Sequence, residues 1–144
     1  MRDAVIFDVD GTLCDVRGIR HLLAGPGSFH AFHTASASCP PHEYVVAAAR
    51  QAHADGYAVL IVTARGVRYR PHTAMWLALH QVPSDAMWMR AAGDHRPDYE
   101  VKADILRRIR QSFRPVHAWD DNPNVIQLWE WAGISTTVVP GWAD

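Results

Sequence analysis

Asp8 and Asp10 stand two residues apart in the run Asp8-Val9-Asp10-Gly11-Thr12, at the end of a short apolar stretch. A second apolar stretch ends in Thr63-Ala64-Arg65, and a third in Asp120-Asp121. Lys102 lies between the last two groups. Four carboxylates brought close together repel and are costly to keep ionised without a cation. A hard divalent ion answers that cost, and all-oxygen ligands with room for water suit Mg²⁺. On a regular strand Asp8 and Asp10 share a face. The turn at Gly11 also lets a backbone carbonyl point inward, which leaves Asp8 an oxygen free for attack. Thr63, Arg65 and Lys102 are donors without negative charge. They match an oxyanion with three equatorial oxygens, a phosphoryl group.

The lysine stands out by its rarity. Of the fourteen basic side chains in the 144 residues it is the only lysine, and the rest are arginine. A lysine kept against that bias points to a position where arginine cannot do the same job. Fifteen acidic side chains bring the formal charge to −1, so the chain is no bulk polycation. Contact with nucleic acid must then come from a local patch, and the basic cluster Arg65, Arg68 and Arg70 lies close to the expected pocket. A composition 49% hydrophobic and 20% charged fits a globular protein and excludes disorder, collagen-like repeats and a coiled coil. No run of eighteen apolar residues is present, so no membrane partner is expected. Met1-Arg2-Asp3 runs straight into the first motif, which reads as the absence of a signal peptide. Cys14 and Cys39 make neither a C-x-x-C pair nor a zinc spacing and read as reduced thiols, so a cytoplasmic location is expected. His30 and His33 have a spacing that could hold zinc but lack a third ligand. Trp76, Trp88, Trp119, Trp129 and Trp131 could stack bases, yet most read as packing, with Trp119 inside the layers.

These groups need a scaffold that gathers them. Residues 4–9 read as a buried strand stopped by the Gly11 turn. Residues 14–41 have no clean period and read as a long irregular excursion with a short helix or hairpin. A helix over 41–54 places Val45, Ala48, Ala49 and Ala52 on one face. A strand over 57–63, a basic loop over 65–70, a helix over 71–80 and a strand over 86–89 follow. Asp98 caps a helix to about residue 111, with Val101, Ile105 and Ile109 as its apolar stripe. A strand over 116–119, a helix over 124–131 and a strand over 135–139 complete the chain. Strands alternating with helices imply right-handed crossovers. The expected fold is α/β, a three-layer sandwich around a parallel sheet of about five strands, in one domain over residues 1–144. In such a sheet ligands bind beyond the carboxyl ends of the strands, which is where the motifs fall.

Asp8-Val9-Asp10-Gly11-Thr12-Leu13 resembles the first motif of the haloacid dehalogenase (HAD) superfamily of phosphohydrolases. Thr63, Lys102 and Asp120-Asp121 resemble its second, third and fourth motifs, in order. Val62-Thr63-Ala64-Arg65, Gly93-Asp94-His95-Arg96-Pro97-Asp98 with Lys102, and the run from Ala118 to Ile126 are similar to the 3′-phosphatase half of bacteriophage polynucleotide kinase-phosphatases, over residues 6–139. The G-x-x-x-x-G-K-[ST] loop of the kinase half does not occur.

The resemblance implies an Asp8 nucleophile forming an aspartyl-phosphate, with Asp10 as acid and then base. It implies Mg²⁺ held by Asp8, the Asp10 carbonyl and one or both of Asp120 and Asp121. Thr63 and Lys102 would hold the phosphoryl oxygens, and Arg65 would clamp the phosphate. Asp98 would orient Lys102 or Arg65, and either Arg17 or Arg20 would supply a further substrate contact. Fewer than thirty residues separate Leu13 from Pro41, too few for a full cap domain, so the site should be open. The leading expectation is removal of 3′-phosphate, with 2′,3′-cyclic phosphate as a further substrate, from polynucleotide ends in nucleic-acid repair. A separately encoded kinase or ligase would be the partner. The alternatives are the same chemistry on a mononucleotide or small phosphomonoester, and a module that binds phosphorylated ends without turnover.

Overall fold

A computed structural model describes residues 1–23 and 28–142. Five strands form one sheet: β1 (Arg2–Phe7), β2 (Ala58–Gly66), β3 (Ala86–Arg90), β4 (Phe113–Asp120) and β5 (Ser135–Val138). Their order is β3-β2-β1-β4-β5, and every pairing is parallel. The helices are α1 (Ser28–Ala35), α2 (Glu43–Ala54), α3 (Arg70–Leu79), α4 (Asp98–Ile109) and α5 (Pro123–Trp131). Alternate residues of the central strands feed two cores. Val5, Phe7, Val59 and Ile61 pack with Val45, Val46 and Ala49 of α2 and Trp76 and Leu77 of α3. Ala4, Ile6, Leu60 and Val62 pack with Val101, Ile105 and Ile109 of α4 and Val125 and Trp129 of α5. Burial on both faces is why β1 and β2 read as unbroken apolar runs. Each large side chain so buried contributes about 1.5–3 kcal/mol. The α/β three-layer expectation holds, and no helix is long and apolar enough to cross a membrane among the described residues.

Several boundaries differ from the sequence reading, each for a local reason. The stretch 65–70 is no loop. β2 runs on to Gly66, a 3-10 turn covers Val67–Tyr69, and α3 begins at Arg70 with a proline in its first turn. Tyr69 is buried there, and its carbonyl accepts from Thr73 Oγ1 at 2.9 Å. Asp98 is not the cap of α4: Pro97 holds that position, and Asp98 lies in the first helical turn. At α5 the cap is Asn122, whose side chain accepts from the Asn124 amide. Asp120 and Asp121 are thereby left out of capping. β4 starts three residues earlier than the apolar signal because its first residues pair with Arg2 and Asp3 of β1.

The excursion after β1 folds as a 3-10 turn (Arg20–Leu23), α1 and a 3-10 turn over Ser36–Ser38; residues 24–27 of the irregular stretch lie outside the described ones. It closes where Asp15 N donates to Pro40 O and His42 N to Leu13 O. Trp76 and Trp129 are core, and Trp88 and Trp119 are half-buried, with Trp119 stacked on Phe7. Trp131 is 87% exposed, so it is not packing.

Candidate active site

The site lies at the carboxyl end of the sheet. After β1 the chain turns sharply. The amides of Thr12 and Cys14 both reach Val9 O, Leu13 N reaches Asp8 O, and Gly11 N reaches Cys14 O. Asp8 N donates to Trp119 O at 3.1 Å, which ties the start of this turn to β4. The Asp8 carboxylate is buried and accepts from Thr12 Oγ1 at 3.1 Å.

Lys102, in α4, is 2% exposed and places Nζ 2.9 Å from both Asp8 Oδ1 and Asp120 Oδ2. Burial pulls its ammonium down, but the carboxylates of Asp120 and Asp8 outweigh burial and hold it above its ordinary value. Oxygens of Asp8, Asp120 and Asp121, all buried, lie within 4.8 Å of one another. Burial, then the charge of Asp120, pushes Asp8 well up. The same two causes push Asp121 up to about 6. Asp120 Oδ1 accepts from Asn122 N, and Arg20 Nη2 stands 3.5 Å from Asp121 Oδ2. Three buried carboxylates around one lysine carry more negative charge than the lysine returns. A compact set of hard oxygen donors with surplus charge fits a divalent ion such as Mg²⁺.

Gly11 makes the set possible. Its φ is +81°, and a Cβ there would lie 2.0 Å from Asp121 Oδ2. Gly11→Ala must strain the turn and push the Asp121 carboxylate aside. We expect a loss of about 1–3 kcal/mol in stability and a weaker response to added Mg²⁺ in thermal unfolding. An alanine protein with the wild-type Mg²⁺ response would show that Asp121 need not sit so close.

Among the described residues the carboxylate cluster has three members, Asp8, Asp120 and Asp121, and not Asp10 as a fourth. Asp10 turns its side chain to Arg65, which donates from Nε to Oδ2 at 2.9 Å and from Nη2 to Oδ1 at 2.6 Å. Arg65 is 2% exposed and also donates from Nη1 to Thr73 Oγ1 at 2.9 Å, so its fork is spent inside the protein. Burial opposes its charge, but Asp10 more than restores it and holds it above the ordinary value. Thr63, 1% exposed, turns Oγ1 to the Arg65 amide at 3.1 Å.

Among the described residues, Asp98 makes no hydrogen bond or ion pair with Lys102 or Arg65. It pairs with Arg90 at 2.7 Å. Arg90 also donates to Ala64 O, Asp94 O and Arg96 O, tying residues 94–98 to the end of β2. Sequence reasoning missed Arg90. The signal was available, since Arg90 ends β3 as Asp120 ends β4, and polar residues at strand ends were the ones to inspect. Arg17 and Arg20 separate. Arg17 is exposed and grips Asp15 at 2.9 and 2.7 Å, whereas Arg20 reaches Asp121.

Above Asp8 lies a cavity of about 610 Å³. Asp8, Asp10, Thr63, Arg65, Lys102 and Asp121 line it, and so do Arg20, Arg90, Asp98 and Asp120, but not Arg17. Such a site combines a carboxylate, a cation set and neutral donors around one open space, the requirements for moving a phosphoryl group.

Known proteins carry the same arrangement of elements. A chain of the Pnkp1/Rnl/Hen1 RNA repair complex superposes with a TM-score of 0.83 at 26% identity, covering 96% of this chain and 42% of that one. This chain therefore spans under half the length of that relative. The class C acid phosphatase from Bacillus anthracis matches with a TM-score of 0.78 at 12% identity, over 99% and 68% of the two chains. The D,D-heptose 1,7-bisphosphate phosphatase from B. bronchiseptica matches at 0.58 and 16%, over 96% and 80%. These last two show the fold alone. The family model described as the polynucleotide kinase PNKP phosphatase domain matches residues 2–141, nearly the whole chain. The chain belongs to the PNKP phosphatase-domain family of HAD phosphatases.

Proposed function

We propose that this chain is a Mg²⁺-dependent phosphatase that removes 3′-phosphate from polynucleotide ends through an aspartyl-phosphate on Asp8. The observation that carries the reading is Lys102 bridging Asp8 and Asp120 with Asp121 alongside, all buried at the floor of an open cavity. Asp8 Oδ attacks phosphorus in line, and the bond to the leaving 3′-oxygen breaks. Asp10 gives that oxygen its proton. A water then attacks the phosphorus of the acyl-phosphate, Asp10 takes its proton, and phosphate leaves with the Asp8 carboxylate restored. Thr63 and Lys102 hold the equatorial oxygens. Arg65 begins on Asp10, and an incoming phosphate dianion competes for its fork. Transfer of that fork to the phosphate frees the Asp10 carboxyl to carry a proton. Asp98 acts through Arg90, which fixes the loop beside the cavity. Of the 17–20 pair, Arg20, which lines the cavity, is the arginine assigned to substrate.

Asp8, Asp121, Asp120 and the Asp10 carbonyl are the groups to hold Mg²⁺, which when bound neutralises charge on the carboxylates and the phosphoryl oxygens. Proton and metal compete for Asp121. Asp8 and Asp121 are both pushed up, Asp121 to about 6, so Mg²⁺ affinity, measured by calorimetry, should fall by at least about tenfold per pH unit below about 6. The metal-free fold should behave oppositely. Asp121 binds a proton more tightly folded than unfolded, so its ionisation costs stability above about pH 6, and that cost disappears as pH falls toward about 4. An Mg²⁺ affinity flat from about pH 7 to 5 would remove Asp121 from the metal set.

Similarity to a chain of the Pnkp1/Rnl/Hen1 RNA repair complex supports a polynucleotide substrate and a separately encoded kinase or ligase as partner. The open cavity also admits a small phosphomonoester. A panel of oligonucleotides with 3′-phosphate, 5′-phosphate and 2′,3′-cyclic ends, run beside a 3′-mononucleotide, decides between them. We expect kcat/KM highest for the 3′-phosphorylated oligonucleotide. Equal turnover of the mononucleotide would replace the polynucleotide reading with the small-substrate one, and binding without any turnover would favour a recognition module.

A further inference from the structure

The cavity above Asp8 is larger than a phosphoryl group needs, so its rim must meet the leaving group. The rim is chemically divided. Residues 94–96 bring Asp94, His95 and Arg96, while Leu23 and Trp142 bring apolar surface. Trp142 is 50% exposed and Leu23 43%. Trp131 is also an exposed indole, but it does not line the cavity.

Trp142 is held in place from the catalytic side. Arg20 Nη1 donates to Trp142 O at 3.2 Å and to Gly141 O, while its Nη2 faces Asp121. Just before it, Val139 is 1% exposed and its amide donates to Asp120 O at 2.9 Å. The segment carrying the indole is thus tied to both Asp120 and Asp121. The family match ends at residue 141, one residue short of Trp142.

We propose that Trp142 is a stacking platform for the nucleobase of the leaving group, fixed at the cavity rim by Arg20. The proposal rests on the reading of the substrate as a phosphorylated nucleic-acid end. An indole face accepts any base, because every base has a π-face, so it selects nucleotides over other phosphomonoesters without selecting sequence. One nitrogen of the Arg20 guanidinium faces Asp121, and another holds the backbone carbonyls of Gly141 and Trp142 that carry the ring.

The test uses two 3′-phosphorylated oligonucleotides that differ only in whether the last nucleoside bears a base or is abasic, with glycerol 2-phosphate as a third substrate. Wild-type protein should prefer the base-bearing end. Trp142→Ala should lower the ratio of kcat/KM between the base-bearing and abasic ends by about tenfold, through KM rather than kcat. Trp142→Leu, which keeps apolar volume without a π-face, should lower it similarly, and Trp142→Phe should keep most of it. A Trp142→Ala or Trp142→Leu protein that loses both substrates in proportion, with the ratio unchanged, would make the ring merely structural and overturn the proposal. Equal wild-type efficiency on the two oligonucleotides would overturn it while leaving the substrate reading intact. Turnover of glycerol 2-phosphate but of neither oligonucleotide would overturn the substrate reading, and the stacking role with it.

Discussion

Asp8→Asn is expected to abolish phosphatase turnover, by about 10⁴-fold or more, without weakening the fold. An amide cannot form the acyl-phosphate, and no neighbouring carboxylate can replace it. Asp120 is held by Lys102, and Asp10 is assigned the acid and base role of the same cycle. Stability should hold because the Asp8 carboxylate is costly where it lies. Burial, then the charge of Asp120, disfavours its ionised form. Removing that charge leaves Lys102 paired with Asp120, and Thr12 Oγ1 still has an oxygen to meet. The measurement is steady-state hydrolysis of p-nitrophenyl phosphate beside thermal unfolding without metal. An asparagine protein with more than a few per cent of wild-type kcat would exclude Asp8 as the nucleophile.

Lys102→Met should remove activity and also destabilise the metal-free protein by about 3–5 kcal/mol, the cost of leaving buried carboxylates without their cation. Added Mg²⁺ should return part of the lost melting temperature by supplying positive charge to the same oxygens. Lys102→Arg should not rescue turnover. A single Nζ sits 2.9 Å from each of two carboxylates in a slot 2% exposed, and a planar guanidinium has neither the shape nor the room to do so. This is the physical content of a lone lysine among thirteen arginines. An arginine protein with wild-type activity would reduce that rarity to chance.

What could be read from the residues was the part governed by periodicity and by strand ends. The unbroken apolar runs of β1 and β2 follow from burial on both faces, and the parallel sheet places Asp8, Thr63 and Asp120 at one edge. The resemblance to HAD motifs put Lys102 beside them, and its 2.9 Å contacts with Asp8 and Asp120 show how close.

Pairings among charged side chains were not legible, because they depend on angles that spacing does not encode. Asp10 and Arg65 are 55 residues apart and meet only because adjacent strands carry them to the same edge. Asp98 meets Arg90 rather than Lys102, although Lys102 is one helical turn away. Arg17 and Arg20 could not be separated in a stretch without period, yet one grips Asp15 and the other meets Asp121. Gly11 likewise reads as a turn from the sequence, but the nearness of Asp121 depends on how β4 lies beside that turn.

Phosphorylation of Asp8 is the step on which the proposed function depends. Acid quenching during turnover, followed by borohydride reduction, converts an aspartyl-phosphate into homoserine, which peptide mass spectrometry locates. Homoserine at position 8, present only when substrate and Mg²⁺ are both supplied, is the expected result. Hydride incorporated at another carboxylate, or Asp8 intact in every sample drawn while product accumulates, would contradict it.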